Sequence, residues 1–172
     1  MGVLTIGVVL LSGIALAHDP GEGCRHFHDG TNRINCNDES NRFIGTLNRD
    51  VVSAGRGNDE GDSLAGNDRI EAGFGQDVVK GSNGRDTIFG QGGNDTINGG
   101  NGADRLFDSS FDGDTDHVCA GRDSAPDHID VADGDANDTV YADWPGEDSV
   151  ARDRFAPGAD RITSASDCPI SE

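Results

Sequence analysis

Asp50, Asp59, Asp68, Asp77, Asp86, Asp95 and Asp104 fall at a strict interval of nine residues. Two residues after each stands Val52, Gly61, Ile70, Val79, Ile88, Ile97 or Leu106, aliphatic except at Gly61. Two residues before each stands Asn48, Gly57, Gly66, Gly75, Gly84, Gly93 or Gly102. Short carboxylates beside glycines suit one chemistry above others. Glycine reaches backbone conformations closed to other residues and lets carbonyl oxygens approach a ligand. Aspartate adds a hard anionic oxygen. A hard divalent cation such as Ca²⁺ takes six to eight such oxygens.

Positioning these groups requires a turn and a strand per unit. From Ala54 the chain divides into AGRGNDEGD, SLAGNDRIE, AGFGQDVVK, GSNGRDTIF, GQGGNDTIN and GGNGADRLF. The D-x-U-x end of each unit, with U a large aliphatic, reads as a short half-buried strand. A lone strand cannot bury its aliphatic residue, so two units should form one coil with a strand on each side. Stacked coils would then pair strands in parallel at about 4.8 Å. Beyond Phe107 the triplet persists at Asp116/Val118, Asp127/Ile129, Asp138/Val140, Asp148/Val150 and Asp160/Ile162, with longer intervals and few glycines. These read as degenerate coils that still stack but need not bind metal.

The phased G-G-x-G-x-D-x-U-x pattern resembles the hemolysin-type (RTX) calcium-binding repeat, strongly over 45–107. The resemblance implies an all-β fold, a right-handed parallel β-roll (a two-sheet solenoid) with a degenerate C-terminal continuation. It implies Ca²⁺ between neighbouring turns of one edge. Asp50, Asp68, Asp86 and Asp104 would line one edge and Asp59, Asp77 and Asp95 the other, giving up to about five ions. The expected metal-binding residues are Asp59, Asp68, Asp77, Asp86, Asp95 and Asp104 with Gly57, Gly66, Gly75, Gly84, Gly93 and Gly102. The first unit, GTLNRDVVS, lacks the later glycines, Gly61 replaces an aliphatic, and Leu64 stands where glycine is usual. The best sites should therefore involve Asp77, Asp86, Asp95 and Asp104.

Composition agrees with metal-assisted folding. The chain of 172 residues has 26 glycines, 33% hydrophobic residues and 5% aromatics. That is little material for a conventional core, and metal or disulfides must help. The net charge of −19 disfavours nucleic acid and anionic membranes as partners. Low hydrophobicity with high charge is also the signature of disorder, but the strict period argues against it. Residues 1–17 read as a signal peptide: an apolar run, too short for a comfortable membrane span, ends in Ala15-Leu16-Ala17. No Lys or Arg precedes that run. The mature chain should be secreted and carry no membrane span. Residues 18–44 read as an N-terminal cap, 45–107 as the roll, and 108–172 as its continuation and C-terminal cap.

Export favours disulfides for Cys24, Cys36, Cys119 and Cys168. The local pairing Cys24–Cys36 and Cys119–Cys168 is expected. A zinc site of Cys24, His26, His28 and Cys36 is the sharper alternative, though its spacing fits no common zinc pattern. Asp112, Asp114 and Asp116 begin like an EF-hand loop, but His117 stands where glycine is needed. His117 and His128 could pair on a transition metal, although exposed strand positions explain them as well. Asn94 and Asn137 match the glycosylation acceptor pattern within repeat triplets. No catalytic motif is present, and only a short segment separates Ala17 from the repeats. The expected function is calcium binding by a secreted, non-enzymatic protein that folds on Ca²⁺. The other classes are a calcium-dependent adhesion or matrix module with a cell-surface or polysaccharide partner, and an enzyme whose activity arises within the roll.

Overall fold

The computed structural model describes residues 23–27, 32–108, 113–132, 137–142, 148–151 and 160–170. The leader-like segment 1–17 and the EF-hand-like Asp112 lie outside them. Each D-x-U triplet leads into a strand, and from Val52 to Val140 its U residue faces the interior, because side chains alternate across a strand. The strands are β1 Arg25–Phe27, β2 Arg33–Asn35, β3 Arg42–Ile44, β4 Val51–Arg56, β5 Glu60–Asp62, β6 Arg69–Phe74, β7 Val78–Asn83 and β8 Thr87–Gly92. They continue as β9 Thr96–Asn101, β10 Arg105–Phe107, β11 His117–Cys119, β12 His128–Asp130, β13 Thr139–Ala142, β14 Ser149–Ala151 and β15 Arg161–Ser164. The short 3₁₀ turn Ala165–Asp167 is the only helical element among the described residues.

Even-numbered strands form one sheet in the order β2-β4-β6-β8-β10-β12-β14, with β1 added at its edge. Odd-numbered strands β3 to β15 form the other. All neighbours are parallel except β1 and β2, which pair antiparallel. The Cys24–Cys36 bridge clips the two ends of that hairpin together. The chain is thus a two-sheet parallel β-roll, and its degenerate triplets supply β11 to β15.

The core is two files of side chains. Ile34, Val52, Ile70, Ile88, Leu106 and Ile129 stack in register in the even sheet. Phe43, Gly61, Val79, Ile97, Val118 and Val140 do so in the odd sheet. All the aliphatic members are buried, whereas the last of the odd file, Ile162, is 38% exposed. Gly61, the exception in the sequence pattern, is not a gap. A Cβ added there would collide with the ring of buried Phe43, one coil earlier. A large residue thus fills the space its small neighbour leaves, which keeps interior density near that of a solid. Cys119–Cys168 ties the continuation to the C-terminal segment.

Candidate metal centre

The aspartates sit at the mouth of each turn, and each has two tasks. From Asp68 onward one carboxylate oxygen accepts the backbone amide of the aspartate one coil earlier, whereas Asp50 and Asp59 accept those of Thr46 and Asn41. Asp68 accepts from Asp50 (2.7 Å), Asp77 from Asp59 (2.7 Å), Asp86 from Asp68, Asp95 from Asp77, and Asp104 from Asp86 (2.8 Å each). These bonds link Asp50, Asp68, Asp86 and Asp104 along one edge and Asp59, Asp77 and Asp95 along the other. Burial is nearly complete, at 0–2% exposure across the seven. The second oxygen, Oδ2, of Asp77, Asp86, Asp95 and Asp104 is buried with no hydrogen-bond partner. In Asp59 and Asp68 that oxygen is buried likewise, with Asn41 beside the first and Ser63 beside the second.

Unpartnered oxygens of this kind cannot stay ionised cheaply, because burial penalises the charged form. Burial pushes the carboxyls of Asp77 and Asp104 up to about 6, Asp86 to about 7 and Asp95 to about 8. Neighbouring aspartate charges push the same way, and the amide bonds oppose them. Two states relieve the penalty: protonation, or a cation supplying several positive contacts at once. The turns make room for the second oxygen. A Cβ added to Gly81, Gly90 or Gly99 would stand 2.5–2.8 Å from Oδ2 of Asp86, Asp95 or Asp104 respectively.

Residues 37–70 and 71–106 match the family described as RTX calcium-binding nonapeptide repeat (4 copies). Residues 37–106 are RTX calcium-binding repeats. Ca²⁺ is therefore the cation these turns take, and the buried Oδ2 atoms fit its preference for hard oxygens. No curated protein and no solved structure matches the chain.

The RTX glycines have a visible packing role. Gly57, Gly66, Gly75, Gly84, Gly93 and Gly102 all have positive φ, from 107 to 146°. A Cβ on Gly75 or Gly93 would strike the carbonyl oxygen of Gly57 or Gly75, and one on Gly84 or Gly102 that of Gly66 or Gly84. Turns stack this closely only without side chains. A further role was not read from the sequence, that of the asparagines one residue before the aspartates. Asn58, Asn67 and Asn94 accept the amides of Gln76 (3.0 Å), Arg85 (2.9 Å) and Thr115 (2.8 Å) in the next coil. Recurrence of Asn before Asp was the available signal.

Two alternative metal sites do not form. Cys24 and Cys36 are joined to each other, which removes both thiolates from the zinc reading. His117 lies in the odd sheet against Tyr141, and His128 in the even sheet against Phe107, so the two imidazoles belong to opposite faces.

Proposed function

We propose that this is a secreted calcium-binding protein whose RTX roll folds when Ca²⁺ enters its stacked turns, and that it has no catalytic role of its own. The ligands are Asp59, Asp68, Asp77, Asp86, Asp95 and Asp104, joined by carbonyls of the turn glycines Gly57, Gly66, Gly75, Gly84, Gly93 and Gly102. One observation carries the reading: two ladders of buried aspartates each hold an inward oxygen without a hydrogen-bond partner. Without cations, like charges one coil apart repel by roughly 1–4 kcal/mol per pair at a high effective dielectric. With Ca²⁺ that repulsion becomes shared attraction, so metal binding and folding are one process. Calcium is scarce inside cells and abundant outside, so folding would follow export, and the disulfides suit that compartment.

The test is circular dichroism of chelated protein titrated with Ca²⁺ and, separately, Mg²⁺. A β-sheet signal should appear with millimolar Ca²⁺ and not with Mg²⁺. An unchanged spectrum would end this reading. A second reading, a calcium-dependent adhesion or matrix module, draws on the exposed apolar side chains Ile44, Leu47 and Phe74. It requires calcium-dependent retention on cells or immobilised polysaccharide.

A further inference from the structure

Asp108 opens the first enlarged turn, just past the matched repeats. Counting back one coil at a time, its equivalents are Gly90, Ala72 and Ala54, all buried, and Val131 follows one coil later. A carboxylate therefore occupies an interior file otherwise built of small or apolar residues. It is 1% exposed, and neither of its oxygens has a hydrogen-bond partner. Neither salt bridge seen among the described residues, Arg42–Glu60 or Arg69–Glu71, involves it. Its side chain turns toward the opposite edge. A Cβ built on Gly90 would lie 2.8 Å from Asp108 Cγ and 2.8 Å from Asp95 Oδ2, so both carboxylates converge beneath that glycine. Single oxygens of Asp95, Asp108 and Asp116 lie within 4.8 Å of one another. That spread fits inside calcium's oxygen shell, about 5 Å across.

We propose that Asp95, Asp108 and Asp116 hold a divalent cation at the junction between the nine-residue coils and the enlarged ones, with the Asp108 side chain as a ligand that the glycine-turn pattern lacks. The proposal rests on the calcium reading of the roll, but its distinguishing ligand lies outside the matched segment. The surroundings strengthen it. Asp114 brings a fourth carboxylate nearby while accepting the Gly93 amide at 2.7 Å. Amide donors and a cation together can hold such a concentration of negative charge, whereas a hydrophobic interior cannot. The enlarged turn has lost most repeat glycines. The cation would fasten the first enlarged turn to the last regular one, so that stacking survives the break in period.

Two measurements decide it. Calorimetry with Ca²⁺ on the full mature chain would compare the native protein with Asp108→Asn, which keeps shape but not charge, and Asp108→Gly, which restores the residue found at Gly90. Asp38→Asn, at an exposed position, controls for lost charge. Both Asp108 variants should bind one ion fewer per chain, with the control unchanged. An unchanged ion count and affinity in both would overturn the site. Should the variants fail to fold, a crystal structure of the native protein grown in Ca²⁺ still decides. It should show an ion about 2.3–2.6 Å from all three carboxylates. Ions in the regular turns with none at the junction would sink this proposal alone. No ions anywhere would sink the calcium reading with it.

Discussion

Between Val51 and Asn101 each coil advances by 18 residues along the aspartate ladder, and most strands run for six. Past Phe107 the same ladder advances by 21 to 23, and strands shrink to three or four. Yet the carboxylate-to-amide bond continues: Asp116 accepts from Asp95, Asp127 from Asp104 and Asp138 from Asp116, at 2.7–2.9 Å. The D-x-U triplet alone is therefore enough to stack a coil. The aspartate satisfies an amide above, and the aliphatic residue fills the core. Glycine-rich turns serve something else, close turn-on-turn packing and room for an inward oxygen. Aspartate keeps its amide-accepting role where the turn glycines are absent.

The two ends of the molecule differ most in how they are tied down. Cys119–Cys168 closes 49 residues and Cys24–Cys36 only 12. In the chain-entropy picture, removing the first by paired serine substitution costs ~4 kcal/mol and removing the second ~3 kcal/mol. Denaturant unfolding at saturating Ca²⁺ reads both, and a larger loss at the N-terminal bridge would reverse the ranking. Within the regular coils, Phe43→Ala should cost about 3 kcal/mol by opening a cavity over Gly61. Gly61→Val alone should also destabilise through overpacking, and the two together should partly cancel. Simple additivity in that double-mutant cycle would contradict the packing exchange.

Metal content separates the regions more directly. Asp86→Asn should lower the number of Ca²⁺ bound, read by calorimetry, whereas Asp127→Asn should leave it unchanged. Equal losses would erase the distinction drawn between glycine-rich and enlarged turns. Acidity supplies a further contrast. In chelator, the folded carboxyls of Asp77, Asp86 and Asp95 lie at about 6, 7 and 8, above the unfolded value near 3.8. The folded form then binds more protons than the unfolded one. Its stability from these groups is complete below about pH 4 and is lost as pH rises through 6 to 8. Metal-free protein should thus gain β-structure between pH 8 and pH 5. With Ca²⁺ the trend should weaken or invert, since metal requires the ionised form. The smallest effect concerns backbone strain. Leu64, Ser82 and Gln91 hold φ of 70, 70 and 77° at a turn position where Gly55, Gly73 and Gly100 also have positive φ. Gln91→Gly should stabilise the calcium-bound roll by about 1 kcal/mol.

Much of this was legible from residue spacing. The nine-residue phase of Asp, Gly and aliphatic positions implied paired units, stacked parallel strands and two separate aspartate edges. The loosened triplets from Asp116 onward correctly implied further coils. The Phe43–Gly61 exchange was hidden because its partners are 18 residues apart and belong to different units. The hydrogen-bonding duty of the aspartates was hidden as well, since a period cannot distinguish a metal ligand from an amide acceptor. Asp108 fell outside the phased series and looked like one more acid in an acidic chain.

Sequence by itself determined the local alphabet: where the chain must turn, which residue faces inward, and that carboxylates recur once per turn. Those properties follow from backbone freedom and side-chain alternation, which act over a few residues. Only the tertiary stack decided which carboxylate oxygens are left buried without a partner, and that Asp108 meets Asp95 beneath Gly90 with an Asp116 oxygen within 4.8 Å. Burial and convergence depend on the coils above and below, and hence on residues a full coil away in the chain.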